Sequence, residues 1–192
     1  MNDTKKTASP EGFFSAASSA NAAKGASPGK PSDSPEFFRL PPPEGRSRES
    51  TITVDALGRF SHEGTPFDHA RLARAFHSWI GRHPDDGRYI LNNGYDWTYF
   101  KVEDVPLFVT GVSERGLSLE GDREVPWSKV VRFEEKDDRL YAELEIEGFG
   151  RAPARFLQHA KLALGPFLEE KDGHFVVRAG DRTLPIEAAF SS

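Results

Sequence analysis

Regular alternation of large apolar and polar residues begins near Thr51 and continues to the end of the chain, whereas the residues before it show almost none. "TITV" and "RFSHEG" place β-branched and aromatic residues on either side of the turn "DALG", predicting a hairpin in which Gly58 takes positive φ. A helix is predicted next. Thr65 and Asp68 have the spacing of a capping box, Pro66 suits a first helical position, and Leu72, Phe76, Trp79 and Ile80 recur on one helical face before Gly81 ends it. "GRYIL" and "WTYFKV" form a second hairpin around Asn93-Gly94, and "LFVTGV", "LSLEG", "EVPW" and "KVVRF" read as short strands. In "RLYAELEIEG", Leu140, Ala142, Leu144 and Ile146 face one way and Tyr141, Glu143, Glu145 and Glu147 the other, the pattern of a strand with one wet face. A second helix is predicted over 152–164, followed by strands "HFVVRA" and "RTLPIE".

Residues 1–49 are rich in Ser, Ala, Gly, Pro and Lys, cannot bury enough apolar surface to offset ordering, and read as a disordered tail. Within it "EFFRLPPPEG" (36–45) couples two aromatics to three prolines, a stiffened segment suited to docking on the folded body or on a partner. The remainder divides into two units, 50–106 and a β-rich 107–192, because the chain repeats itself. "HEG" at 62–64 aligns with "IEG" at 146–148, Ala70-Arg71-Leu72 with Ala154-Arg155-Phe156, and Ile80-Gly81 with Leu164-Gly165. After two extra residues Asp86-Gly87 falls on Asp172-Gly173, Tyr89 on Phe175 and Gly94 on Gly180. The expected fold class is α+β, with two tandem, structurally similar small halves, each a set of strands packed on one helix.

The stretch "ITVDALGRFSHEGTPF" through "DGRYIL" to "VEDVPLFV", residues 51–112, resembles a bacterial family, DUF1285, a domain of unknown function. The resemblance rests on the aromatic before "HEG", Pro66, the amphipathic helix, Asp86-Gly87-x-Tyr89-x-Leu91 and Val102-Glu103-Asp104-x-Pro106. It implies duplicated α+β halves, the second superficially like a pleckstrin-homology fold, with a nucleotide-type ligand between them and a role in signal transduction.

Composition narrows the chemistry. The chain of 192 residues has no cysteine, which excludes disulfides, thiolate catalysis and cysteine-held zinc. Its net charge of −5 argues against general nucleic-acid binding. No apolar run reaches membrane-spanning length and no signal peptide is evident, so a cytoplasmic location is expected. "GASPGKPS" mimics a phosphate loop but has short glycine spacing and Pro31 after the lysine. His69 and His77 have no matching carboxylate for a metal set, His62-Glu63 has no nucleophile, and adjacent acids such as Glu103-Asp104 point to opposite faces of a strand. No catalytic group or cofactor is therefore expected. Arg71 and Arg155, matched by the repeat, offer guanidinium forks, while Arg88, Tyr89, Asn92, Tyr95 and Trp97 combine a cation with stacking faces and amide donors. These seven residues are the candidate site for a small anionic or nucleotide-type ligand in a non-enzymatic binding protein. The alternative is an interaction scaffold that engages a protein partner through strand edges or residues 36–45.

Overall fold

A computed structural model describes residues 34–188, so the tail expectation for residues 1–33 lies outside the described residues. From Ser34 onward the chain is docked. Ser34 caps a single turn of helix, α1 (Pro35–Phe38), and Phe38 is buried against Ile90 and Trp97. The Arg48 guanidinium lies 4.4 Å from the Trp97 ring centroid, donates to the Trp97 carbonyl at 2.7 Å and pairs with Asp96. The ordered body thus starts ahead of the boundary that composition placed at residue 50. The docking of 36–45 on the folded body, one of the two readings of that segment, is what the structure shows: Phe38 and Arg48 seat on Trp97.

The first sheet contains β1 (Glu49–Val54), β2 (Phe60–His62), β3 (Thr65–Pro66), β4 (Ile80–Arg82), β5 (Tyr89–Asn92) and β6 (Trp97–Val102), in the order β3-β2-β1-β6-β5-β4. Helix α2 (Ala70–Trp79) separates the two triplets, and β6 pairs parallel with β1. The second sheet comprises β7 (Leu107–Ser113), β8 (Gly116–Leu119), β9 (Arg123–Pro126), β10 (Val130–Lys136), β11 (Arg139–Ile146), β12 (Gly150–Phe156), β13 (Leu168–Lys171), β14 (His174–Ala179) and β15 (Arg182–Ala188). Its order is β13-β14-β15-β10-β11-β12-β7-β8-β9. Here β10, β11 and β12 form a meander, helix α3 (Gln158–Ala163) follows, then β13, β14 and β15, with β15 parallel to β10. Both halves therefore run meander, helix, meander, and close by pairing their last strand with their first. The meander β7-β8-β9 extends the second half through a parallel pairing of β7 with β12. The turns at Gly87 and Gly173 occupy matching places in this order, as do those at Gly94 and Gly180.

Three local expectations are corrected. The Thr65 capping box does not form, because Thr65 and Pro66 pair with β2 and the helix starts after His69, whose Nδ1 accepts from the Leu72 N–H at 3.4 Å. Gly81 ends no helix. It lies in β4, and the extended Ile80 stops α2. The segment 152–156 is strand rather than helix: Ala152, Ala154 and Phe156 are buried while Pro153 is exposed, a period of two concealed by alanine's helical preference. Pro153 pairs with Glu143 on one side only, since the β7 ladder begins at Ala154. Arg71 is thus helical and Arg155 extended, and the two do not occupy equivalent positions.

One hydrophobic core spans both sheets and includes Phe60 and Phe76 from the first half and Phe108, Leu119 and Phe156 from the second. Two tight approaches fix how the halves meet. The turn after β1 lies on Phe108, and the turn after β8 lies against the backbone of α2 at His77 and Ser78.

Candidate functional site

Among the described residues, concave regions of two sizes lie where the halves meet. The larger, of about 870 Å³, is bounded by the turn 57–60 and α2 on one side and by the turn 119–122 on the other. Its cations are already engaged: Arg59 pairs with Asp55 at 2.7 Å, and Arg74 pairs across the cleft with Asp122. His77 is buried in its wall, and its Nε2–H donates to the Gly58 carbonyl at 2.9 Å. Burial pushes the His77 imidazole below its ordinary range, against the opposing pull of Glu120 and of the Gly58 hydrogen bond.

A depressed folded-state pKa means that the unfolded chain takes the proton first. His77 therefore contributes its full stabilisation above the ordinary pKa of about 6.5 and loses it as the pH falls toward the lower folded value. Wild type is expected to lose Tm on acidification from pH 7 to pH 5, and His77→Gln to flatten that decline. Parallel melting curves of the two proteins over that range would refute it.

The smaller groove, of about 220 Å³, has Trp79, Ile80, Gly81, Arg82, Ile90 and Phe38 on the first-half side and Arg123, Ile146, Gly148 and Phe149 on the second-half side. The Arg82 guanidinium lies 5.1 Å from the Tyr89 ring centroid and 5.5 Å from that of Phe149, and those two rings stack across the interface at 6.1 Å and 23°. Its Nη2 donates to the Tyr89 hydroxyl at 3.2 Å. Arg123 enters from β9 and donates through Nη2 to the Ile80 carbonyl at 3.3 Å. Arg82 Nε and Arg123 Nη1 are buried with no hydrogen-bond partner among the described residues. Neither guanidinium forms an ion pair among the described residues, and burial alone lowers the pKa of Arg123. Two guanidinium groups from opposite halves thus line one groove, Arg82 against aromatic rings, and each keeps an unsatisfied N–H among the described residues.

The structure disperses the seven residues singled out from sequence. Arg71 is exposed on α2. Arg155 donates to the Ala56 carbonyl and pairs with Asp104 at 3.5 Å, bracing the second half against the first. Arg88 forks onto Glu49, with both bonds at 2.8 Å, and covers Tyr99 at 3.6 Å. Tyr89 supports Arg82, and Asn92 lines the groove while its Oδ1 accepts the Gly94 N–H at 2.8 Å. Tyr95 is an exposed turn residue, and Trp97 is buried beneath Phe38 and Arg48. Only Tyr89 and Asn92 belong to the groove or its support. Sequence reasoning missed Arg82, Arg123 and Phe149. Arg123 stands between Asp122 and Glu124 and reads as a solvated turn, so nothing local marks it.

The fold defines a class: an α+β protein of two sheets, with a groove where its two halves meet. The chain is similar to a DUF1285 family protein from Silicibacter pomeroyi DSS-3, at 17% identity over 93% of this chain and 96% of that one, with a TM-score of 0.58. It also matches a DUF1285 family protein from Shewanella baltica OS155, at 20% identity over 62% of this chain and 94% of that one, with a TM-score of 0.44. The first likeness establishes a shared fold over nearly the whole chain, in keeping with the resemblance read from residues 51–112. No family sequence model matches the chain, and no curated protein does. No helix among the described residues is long and apolar enough to cross a membrane.

Proposed function

We propose that this is a non-enzymatic binding protein, with a regulatory role, that takes a small anionic ligand in the groove between two halves descended from one duplicated unit. The observation that carries this reading is the pair Arg82 and Arg123: one comes from each half, both lack a carboxylate partner among the described residues, and each holds a buried N–H without an acceptor. A buried unpaired guanidinium N–H is costly, and an anion offsets that cost. The matching order of strands and helix in the two halves supports the duplication, and on that reading the groove lies between the copies. A site bridging two halves also suits regulation, because occupancy ties their relative placement to ligand concentration.

The test is thermal melting of the full chain against inorganic phosphate, adenosine 5′-monophosphate and small organic acids. A ligand at a hundred times its Kd should add about 2.7 kcal/mol, which corresponds to a Tm rise of roughly 5–11 °C for a chain of this size. Arg82→Met with Arg123→Met should abolish the rise. A flat response to every anion, or an unchanged rise in the double variant, would rule the reading out.

A further inference from the structure

The segment docked ahead of β1 has a double in the sequence. Ser34-Pro35-Glu36-Phe37-Phe38 and Ser9-Pro10-Glu11-Gly12-Phe13 carry Ser, Pro, Glu and Phe at the same spacing. The other Ser-Pro before residue 40, Ser27-Pro28, is followed by Gly29-Lys30-Pro31 with neither acid nor aromatic, so composition alone does not generate the motif. Apart from Met1, Phe13 and Phe14 are the large apolar residues of 1–33.

Each shared residue has a task in α1. Ser34 is the N-cap, and its Oγ accepts the Phe37 N–H at 3.4 Å; Pro35 fills the first helical position, where a missing N–H costs nothing, and Glu36 lies at the positive end of the turn. Phe38 alone of the five is buried. Its ring stands edge-on to His83 at 5.8 Å, lies 6.2 Å from Trp97 and packs with Ile90. The Phe38 carbonyl faces His83 Nε2 at 3.5 Å, a backbone contact that any residue supplies. Arg39 adds a pair with Asp85 at 2.9 Å that is exposed on both sides and therefore contributes little. The motif at 9–13 thus has the cap, the turn residues and the ring, and lacks only Phe37 and Arg39.

Reach and local concentration decide where that motif docks. Arg48 covers Trp97, so the chain is anchored at the seat itself. Nine residues, 39–47, tether Phe38 to this anchor, and thirty-four, 14–47, tether Phe13. A coil of that longer length spans about 32 Å and returns to its own start at an effective concentration in the millimolar range, which a second chain in dilute solution does not match. Closing the longer loop is about sevenfold less favourable than closing the shorter, so Phe38 holds the seat and Phe13 stands in reserve.

We infer that residues 9–13 are a second docking motif for the seat formed by His83, Ile90 and Trp97, and that the chain exchanges the two motifs in cis. The exchange releases residues 34–45, with the exposed Leu40 and Pro41 to Pro43, while Trp97 stays covered.

The test is thermal melting of the full chain as wild type, Phe13→Ala, Phe38→Ala, Phe13→Ala with Phe38→Ala, and Phe14→Ala with Phe38→Ala. Phe13→Ala should leave the wild-type Tm unchanged, because Phe38 already fills the seat. In the Phe38→Ala background it should lower Tm further, by roughly 2 °C or more, whereas Phe14→Ala, one position beyond the matching ring, should not. An equal Tm for Phe38→Ala with and without Phe13 would overturn the inference, and so would an equal loss from Phe14→Ala. A second readout needs no variant of the seat. The chain has no cysteine, so a nitroxide on Ser18→Cys marks a single place. It should broaden the Ile90 and Trp97 amide signals through the minor exchanged state, and the broadening should fall on Phe13→Ala. Broadening indifferent to Phe13 would overturn the motif. Broadening of equal size from a spin-labelled chain onto an unlabelled one in a mixture would seat the tail of a second copy and overturn exchange in cis.

Discussion

Gly121→Ala is expected to lower Tm by about 4–20 °C, from a cost of roughly 2–5 kcal/mol. Gly121 sits in the turn after β8 at φ +78°, where an alanine Cβ crowds its own carbonyl. The larger cost comes from position. A Cβ there would lie 2.6 Å from the His77 carbonyl carbon, 2.9 Å from Ser78 Cα, and closer still to the Ser78 nitrogen. These are backbone atoms of α2 and cannot rotate aside, so the turn or the helix must move. The control is Gly64→Ala. Gly64 has the same φ of +78° but nothing within 4 Å of the added carbon, so it carries the dihedral cost of about 1–2 kcal/mol alone. Thermal melts of the two variants separate strain from collision, and equal losses would refute the close approach. Arg123 begins the strand two residues after Gly121, so the variant should also lose ligand stabilisation even where it still folds.

The elements with strong alternation were legible in the sequence. "RLYAELEIEG" folds as β11 with Leu140, Ala142 and Leu144 buried, and the Asn93-Gly94 hairpin joins β5 to β6 as expected. Errors arose where local preference and tertiary pairing disagree. Ala152 to Phe156 is helix-prone in isolation but lies between β11 and β7, where two ladders outweigh a preference worth less than about 1 kcal/mol per residue. Thr65 has a good capping side chain, yet pairing with His62 claims it for the sheet. The groove was the least legible feature. Its charges, Arg82 and Arg123, are 41 positions apart, on edge strands of the two different sheets that meet only through tertiary packing, and Arg123 stands in sequence between two acids. The aromatics Trp97 and Tyr99, open in sequence to either ligand stacking or hairpin packing, form the seat for Phe38, and Trp97 also carries Arg48, because stacking faces serve intrachain docking as well as they serve a ligand.

Phe108→Ala should cost about 3–5 kcal/mol, and its effect should depend on pH. Phe108 is fully buried on β7 beneath the turn after β1; a Cβ on Gly58 would meet its ring at 3.2 Å, so no slack exists there. Its ring also packs edge-on to His77, with centroids 5.8 Å apart, and helps to keep water from that imidazole. Truncation leaves a void beside a histidine whose lowered pKa comes first from burial. Water entering the void would restore hydration to the charged imidazole and bring its folded pKa back toward the unfolded value. The His77 contribution to wild-type stability should fall below about pH 6.5, because the unfolded state takes the proton more readily than the folded one; the variant should lose less, since both states take it. The stability gap between wild type and Phe108→Ala should therefore be widest near pH 7.5 and narrow toward pH 5.5. Denaturant melts at both pH values measure it, and a constant gap would show that Phe108 contributes packing alone and does not hold His77 dry.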